Sequence, residues 1–147
     1  MFKKILLATD GSASAQKSAE AAAEIAQKFE GQLLVLHVFN PVLAPAPMAG
    51  AAELPASYEQ DTKRYSKNVQ SEVEQQMNNL LSEYDVEYTM RWELGHPLER
   101  IVSVAQEEQT ELIVMGSRGL GTFKSLLLGS ISDGVVYHAH CPVLIVR

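Results

Sequence analysis

Short apolar runs recur along the chain, separated by stretches whose apolar residues fall at helical spacing. Ile5-Leu6-Leu7-Ala8 is the first run, and it stops at Asp10-Gly11-Ser12, a turn rich in helix-capping residues. Residues 13–29 place Ala15, Ala19, Ala22, Ile25, Ala26 and Phe29 on a helical stripe, and the small side chains suit close packing on a sheet. Gly31 ends that helix, and Leu33 to Phe39 forms a second apolar run. From Tyr58 to Tyr84 the stripe Tyr65, Val69, Val73, Met77, Leu80, Leu81 and Tyr84 predicts a long amphipathic helix whose opposite, mixed-charge face is solvated. Val86, Tyr88, Met90, Trp92 and Leu94 then alternate with polar residues, the mark of a strand with one exposed face, and core packing accounts for Trp92. Pro97 opens a third helix with Leu98, Ile101, Val102 and Ala105 as its buried stripe. Leu112 to Met115 is a further apolar strand, a short helix carries Ile131, Val135 and Val136, and Pro142 to Arg147 closes the pattern as a strand.

Strands alternating with helices predict an α/β fold, a five-stranded parallel sheet with helices on both faces, in a single domain over residues 1–147. Strands buried on both faces read as continuous apolar runs, whereas an edge strand with one wet face alternates. The third strand alternates while the first, second and fourth do not, so the pattern favours the order 3-2-1-4-5 over 2-1-3-4-5. The order then reverses between the first and fourth strands, and ligands in such sheets bind beyond the strand carboxyl ends at that reversal. The loops that meet there are Thr9 to Ser12 and Met115 to Ser132. Asn40 to Pro55, with four prolines, breaks the rhythm and is expected either to overhang this site or merely to connect to the long helix.

Composition narrows the classes of function. With 46% hydrophobic residues the chain has material for a core, and a formal charge of −6 argues against a nucleic-acid-binding surface. No apolar run is long enough to cross a bilayer, and the start Met1 to Lys4 with Ile5 to Ala8 is too short for an export signal. A lone cysteine, Cys141, fits a reducing cytoplasm. His138, His140 and Cys141 imitate part of a metal site but lack a fourth ligand. Their expected role is that of histidines at a helix carboxyl end, and His37 is expected to be a hydrogen-bonded core residue.

The segment Gly116 to Ser132 carries the candidate chemistry. Its glycines allow close backbone approach to a ligand, and the helix beginning at Ser130 offers free amides to an anion such as a phosphate chain. It is not a Walker A loop, since Thr122 stands where the lysine belongs, nor a dinucleotide fingerprint, since no glycine follows Gly121 on schedule. From the residues alone, a flexible turn and a helix cap are equally good accounts of this segment, and Asp10 likewise suits a helix cap.

The spacing Gly116, Gly119 and Gly129-Ser130 resembles the glycine motif of the universal stress protein family, in its ATP-binding branch. Lys4 to Ser12, Leu36-His37-Val38, Gly95-His96-Pro97, Leu112 to Gly119 and Cys141 to Val146 resemble further blocks of the family, so the likeness runs through the whole chain. The resemblance implies a Rossmann-like, adenine nucleotide alpha hydrolase-like fold. It implies that Asp10 holds the ribose, that Ala8, Thr9 and Val38 hold adenine through their backbone, and that Met115 and Gly116 line the nucleoside. Gly119, Gly129, Ser130, Ile131 and Ser132, joined by Arg118, would surround the phosphates of ATP, ADP or AMP, with Mg or Mn held mainly by phosphate oxygens.

The family reading is that of a cytoplasmic, nucleotide-dependent stress-response regulator acting through a homodimer and a regulatory protein partner. The dimer would form through Val143 to Val146, an outer strand apolar on both sides. Phosphoryl transfer wants a lysine, a carboxylate-held magnesium and a base, which the sequence does not group, so binding without efficient turnover is expected. The alternatives are a weak ATPase or nucleotide phosphotransferase, and an interaction module that binds no nucleotide.

Overall fold

The computed structural model describes residues 1–40, 58–117 and 129–147. The elements follow the expected alternation: β1 (Lys4–Ala8), α1 (Ala13–Phe29), β2 (Gln32–Phe39), α2 (Tyr58–Leu81), β3 (Glu87–Leu94), α3 (Pro97–Glu107), β4 (Leu112–Gly116), α4 (Ser130–His138) and β5 (Val143–Val146). All strand pairs are parallel, and the sheet order is β3-β2-β1-β4-β5, the order read from strand patterning. The proline-rich segment and the centre of the glycine-rich segment, with Arg118 and Gly119, lie outside the described residues.

Period-two alternation sends neighbouring strand residues to opposite faces, so each face acquires its own core. Ile5, Leu7, Leu33, Val35 and Val114 pack under α1 and α2, against Ala19, Ala22, Ala23 and Ala26 and against Val73, Met77 and Leu81. Leu6, Leu36, Ile113 and Met115 pack under α3 and α4, against Ile101, Val104, Ala105 and Val135. The alanine face of α1 is fully buried, since short side chains let the helix axis approach the central strands.

Register explains why β3 alternates. Tyr88, Met90 and Trp92 pair with Leu33, Val35 and His37 on the α1–α2 face, whereas Thr89, Arg91 and Glu93 pair with Leu34, Leu36 and Val38 on the other. On that second face the end of α3 supplies charge in place of apolar cover. The Arg91 guanidinium reaches Glu93 at 2.7 Å, Glu107 at 2.7 Å and Glu108 at 2.8 Å. These hydrogen-bonded carboxylates hold Arg91 firmly in its charged form.

Two element ends differ from the sequence reading. The long helix stops at Leu81 rather than Tyr84, because its last turn tightens: the Tyr84 amide donates to the Leu81 carbonyl, three residues back. At the end of α1 the left-handed residue is Glu30 (φ 51°), and Gly31 has a different reason to be glycine. A Cβ built on Gly31 would stand 2.4 Å from the Phe2 carbonyl oxygen and 3.2 Å from that of Lys3. No helix among the described residues is long and apolar enough to cross a membrane.

Candidate functional site

The carboxyl ends of β1 and β4 lie side by side, with Ala8 in register with Met115 on one side and Leu36 on the other. This boundary is where the strand order reverses, and the chain leaves it through two turns that hydrogen bonds hold in place. In the first turn the Thr9 amide donates to the Leu36 carbonyl at 2.9 Å, and the Thr9 hydroxyl accepts the Gly11 amide at 3.3 Å. Asp10 Oδ1 accepts the Ser12 amide at 2.9 Å, and Gly11 takes φ +78°, a conformation that favours glycine. Ser12, rather than Asp10, caps α1: its side chain accepts the Ala15 amide at 3.3 Å. The Asp10 carboxylate therefore belongs to the turn, with acceptor capacity beyond its one bond to Ser12.

The second turn centres on Ser117. Its amide donates to the Val146 carbonyl at 2.9 Å, and its own carbonyl accepts both the Gly129 amide at 3.0 Å and the Ser132 hydroxyl at 3.2 Å. Thus the end of β4, the end of β5 and the start of α4 share one buried hub. Gly129 is the N-cap of α4 in extended conformation, with no side-chain cap. The family resemblance sets Gly129 beside the phosphates, but its amide is already committed to Ser117. The amides of Ser130, Ile131 and Ser132 are those that a helix start leaves without intrahelical partners. Their dipole favours an anion, and Asp133 in the same turn opposes one.

Buried polarity is concentrated at this rim. Six polar residues are buried among the described ones, and Thr9, His37, Ser117 and Ser132 are four of them. Two of these were not picked out as site residues by the sequence. Ser117 sits at the start of the glycine-rich run, and His37 reads as core; the signal was a histidine interrupting an apolar strand. His37 is indeed 7% exposed, and its Nδ1 lies 2.9 Å from the Thr9 carbonyl oxygen. Burial pushes its pKa below the ordinary imidazole range, against the opposing pull of the Thr9 bond and of the Asp10 charge.

Ala8, Thr9, Asp10, Met115, Gly116, Gly129, Ser130, Ile131 and Ser132 thus lie at one carboxyl rim of the sheet, with half-buried Val38 at the neighbouring strand end. The remaining temptations resolve as packing. His140 Nε2 lies 3.2 Å from the Thr110 carbonyl, His138 ends α4, and burial raises the Cys141 thiol pKa, keeping it protonated. Among the described residues no three His, Cys, Asp or Glu side chains group as metal ligands.

An open parallel sheet with helices on both faces and two hydrogen-bonded turns at its switch point defines a doubly wound α/β protein. The chain belongs to the universal stress protein family, whose sequence profile matches residues 1–147. It is 40% identical over 147 residues to a universal stress protein of Thermus aquaticus, covering all of both chains. It is 32% identical over 148 residues to the Bacillus subtilis universal stress protein YxiE, again covering both completely. Among solved structures, the universal stress protein UspA from Lactobacillus plantarum superposes with a TM-score of 0.82 at 24% identity, over 99% of this chain and 98% of that one. Two others with the same fold are complexes: a universal stress protein with cAMP (TM-score 0.68, 22% identity, 99% and 97% covered) and one from Archaeoglobus fulgidus with dAMP (TM-score 0.59, 20% identity, both fully covered).

Proposed function

We propose that this chain binds an adenine nucleotide, ATP in the first instance, at the carboxyl rim of β1 and β4 and acts as a nucleotide-dependent stress-response regulator. The observation that carries the reading is the junction at Ser117, which ties the start of α4 to the end of β4, the strand paired with β1 where the Asp10 turn begins. Asp10 would accept from the ribose hydroxyls, the backbone of Ala8, Thr9 and Val38 would meet adenine, and Met115 and Gly116 would line the nucleoside. Ser130, Ile131 and Ser132 would face the phosphates, with Gly129 leaving room for them and with Arg118 and Gly119 of the intervening segment. The cAMP and dAMP complexes of similarly folded family members support an adenine nucleotide as the ligand class. The nearby cations are Arg118 and Lys124 of the intervening segment, and the sequence does not group them with a carboxylate-held magnesium and a base, so binding without efficient turnover suits the site better than phosphoryl transfer. A Mg or Mn ion would be held mainly by phosphate oxygens, as hard cations accept.

The test is a thermal-shift comparison of ATP, ADP, AMP and GTP with and without magnesium, alongside heat release of any nucleotide carried by the purified protein. Stabilisation by adenine nucleotides is expected, and no shift with any of them refutes the reading. Gly129→Val is expected to drop ATP affinity below detection by crowding the phosphates. The fold should survive, since φ −63°, ψ 156° is open to valine. Unchanged affinity with an intact circular dichroism spectrum would make this turn purely structural.

A homodimer through β5 is part of the same proposal. All four residues of this outer strand are only half-buried although each is apolar, and pairing with a second copy covers them. Gel filtration at micromolar concentration should give a dimer; a stable monomer contradicts it. We assign the protein to the cytoplasm on its single, protonated thiol.

A further inference from the structure

We propose that His37 is a positioning residue for the nucleotide site, holding the Thr9–Asp10 turn in its binding geometry through the Nδ1–H bond to the Thr9 carbonyl. This rests on the nucleotide reading above and names a control point of the same site. The geometry is direct. His37 belongs to β2, yet its ring reaches across to β1 at the residue preceding Asp10. Thr9 is itself buried and orients Gly11 through its hydroxyl, so the carbonyl, the hydroxyl and the carboxylate of this turn move as one unit. A carbonyl bonded at 2.9 Å to a side chain packed in the core cannot rotate freely.

The other side of the ring faces a cleft of about 170 Å3. Trp92 from β3 approaches the imidazole edge-on at 5.6 Å, and α2 contributes Ser66 and Gln70, neither of which titrates. Among the described residues the charge that acts on the ring is Asp10 of the β1–α1 turn; Glu93 also lines the cleft, but its carboxylate is engaged with Arg91 on the other face of the sheet. Burial is the largest influence and favours the neutral ring, which must be the tautomer protonated on Nδ1 to donate to a carbonyl. A buried neutral histidine contributes its full stabilisation above the ordinary imidazole value of about 6.5 and loses it as pH falls below that value. Protonation occurs at Nε2 and leaves the Nδ1–H donor in place, so what acid opposes is the burial of a charged ring; the packing that holds the ring against Thr9, and with it nucleotide affinity, should weaken on acidification.

The experiment measures ATP affinity at pH 8.0 and 5.5 for the native protein, His37→Leu and His37→Asn, with amide hydrogen exchange of Gly11 and Ser12 in the ligand-free forms. Leucine removes the donor. Asparagine restores an N–H near the position of Nδ1 without a titrating group. His37→Leu should bind ATP about five- to tenfold more weakly at pH 8.0, the loss of one buried hydrogen bond, and should exchange Gly11 and Ser12 faster. His37→Asn should recover both at pH 8.0. Titration of ATP itself is common to all three proteins, so the decisive quantity is the ratio of native to His37→Asn affinity, which should fall on acidification. A His37→Leu protein that binds and exchanges like the native one overturns the proposal, as does a His37→Asn protein with the native pH dependence. Failure of the native protein to bind ATP refutes the nucleotide reading instead, and the exchange data then still decide whether His37 holds the turn.

Discussion

Gly31→Ala is expected to lower the unfolding midpoint by about 2–12 °C, a large stability loss for a single methyl group. The added Cβ would stand 2.4 Å from the Phe2 carbonyl and 3.3 Å from the Lys3 Cα, and backbone cannot rotate aside as a side-chain tip can. The contact is fixed from both directions: the Gly31 amide donates to Ala26 at 2.8 Å, and the Gln32 amide to the Lys3 carbonyl at 2.8 Å. Relief requires the entry to β1 to shift against β2. Overpacking of this kind costs about 1–3 kcal/mol, and for a chain of this length 1 kcal/mol moves the midpoint by about 2–4 °C. A melting curve that superposes on the native one would mean that residues 1–3 yield without cost.

The second large effect concerns binding. Asp10→Ala is expected to weaken ATP binding by about 10- to 150-fold, the worth of hydrogen bonds to a charged acceptor, about 1.5–3 kcal/mol. Its melting point should change little, because Ser12 and not Asp10 caps α1. Asp10→Asn retains an oxygen for the Ser12 amide and should fall between the two. Calorimetric titration of the three proteins checks this order. Equal affinities coupled to a lowered melting point for Asp10→Ala would assign the carboxylate to the turn alone.

These two positions also mark how far the sequence could be read. Strand order was legible because β3 alternates, and register shows why: only one of its faces meets a helix-covered core, and the other carries Arg91 and its carboxylates. Asp10 was legible as a residue at the end of the first strand, but whether it capped the helix was not. An Asp and a Ser two positions apart satisfy the same local rule, and backbone geometry chose Ser12. Gly129 was placed beside the phosphates by family resemblance, whereas the bond of its amide to Ser117 depends on β4 and α4 meeting in space. Gly31 was read as a helix terminator, yet the crowding that requires glycine there comes from residues 2 and 3.

What the amino-acid order determined by itself is whatever depends on period and local backbone preference: the elements, the two-faced burial of the central strands and the alternation that sends β3 to an edge. Tertiary structure decided which polar groups meet across strands, above all His37 with Thr9, separated by 28 residues, and Ser117 with Ser132, separated by 15. The reason is physical. Hydrophobic periodicity is written into successive residues, whereas a hydrogen bond between β2 and β1 exists only once parallel register has brought two distant strand ends within 3 Å.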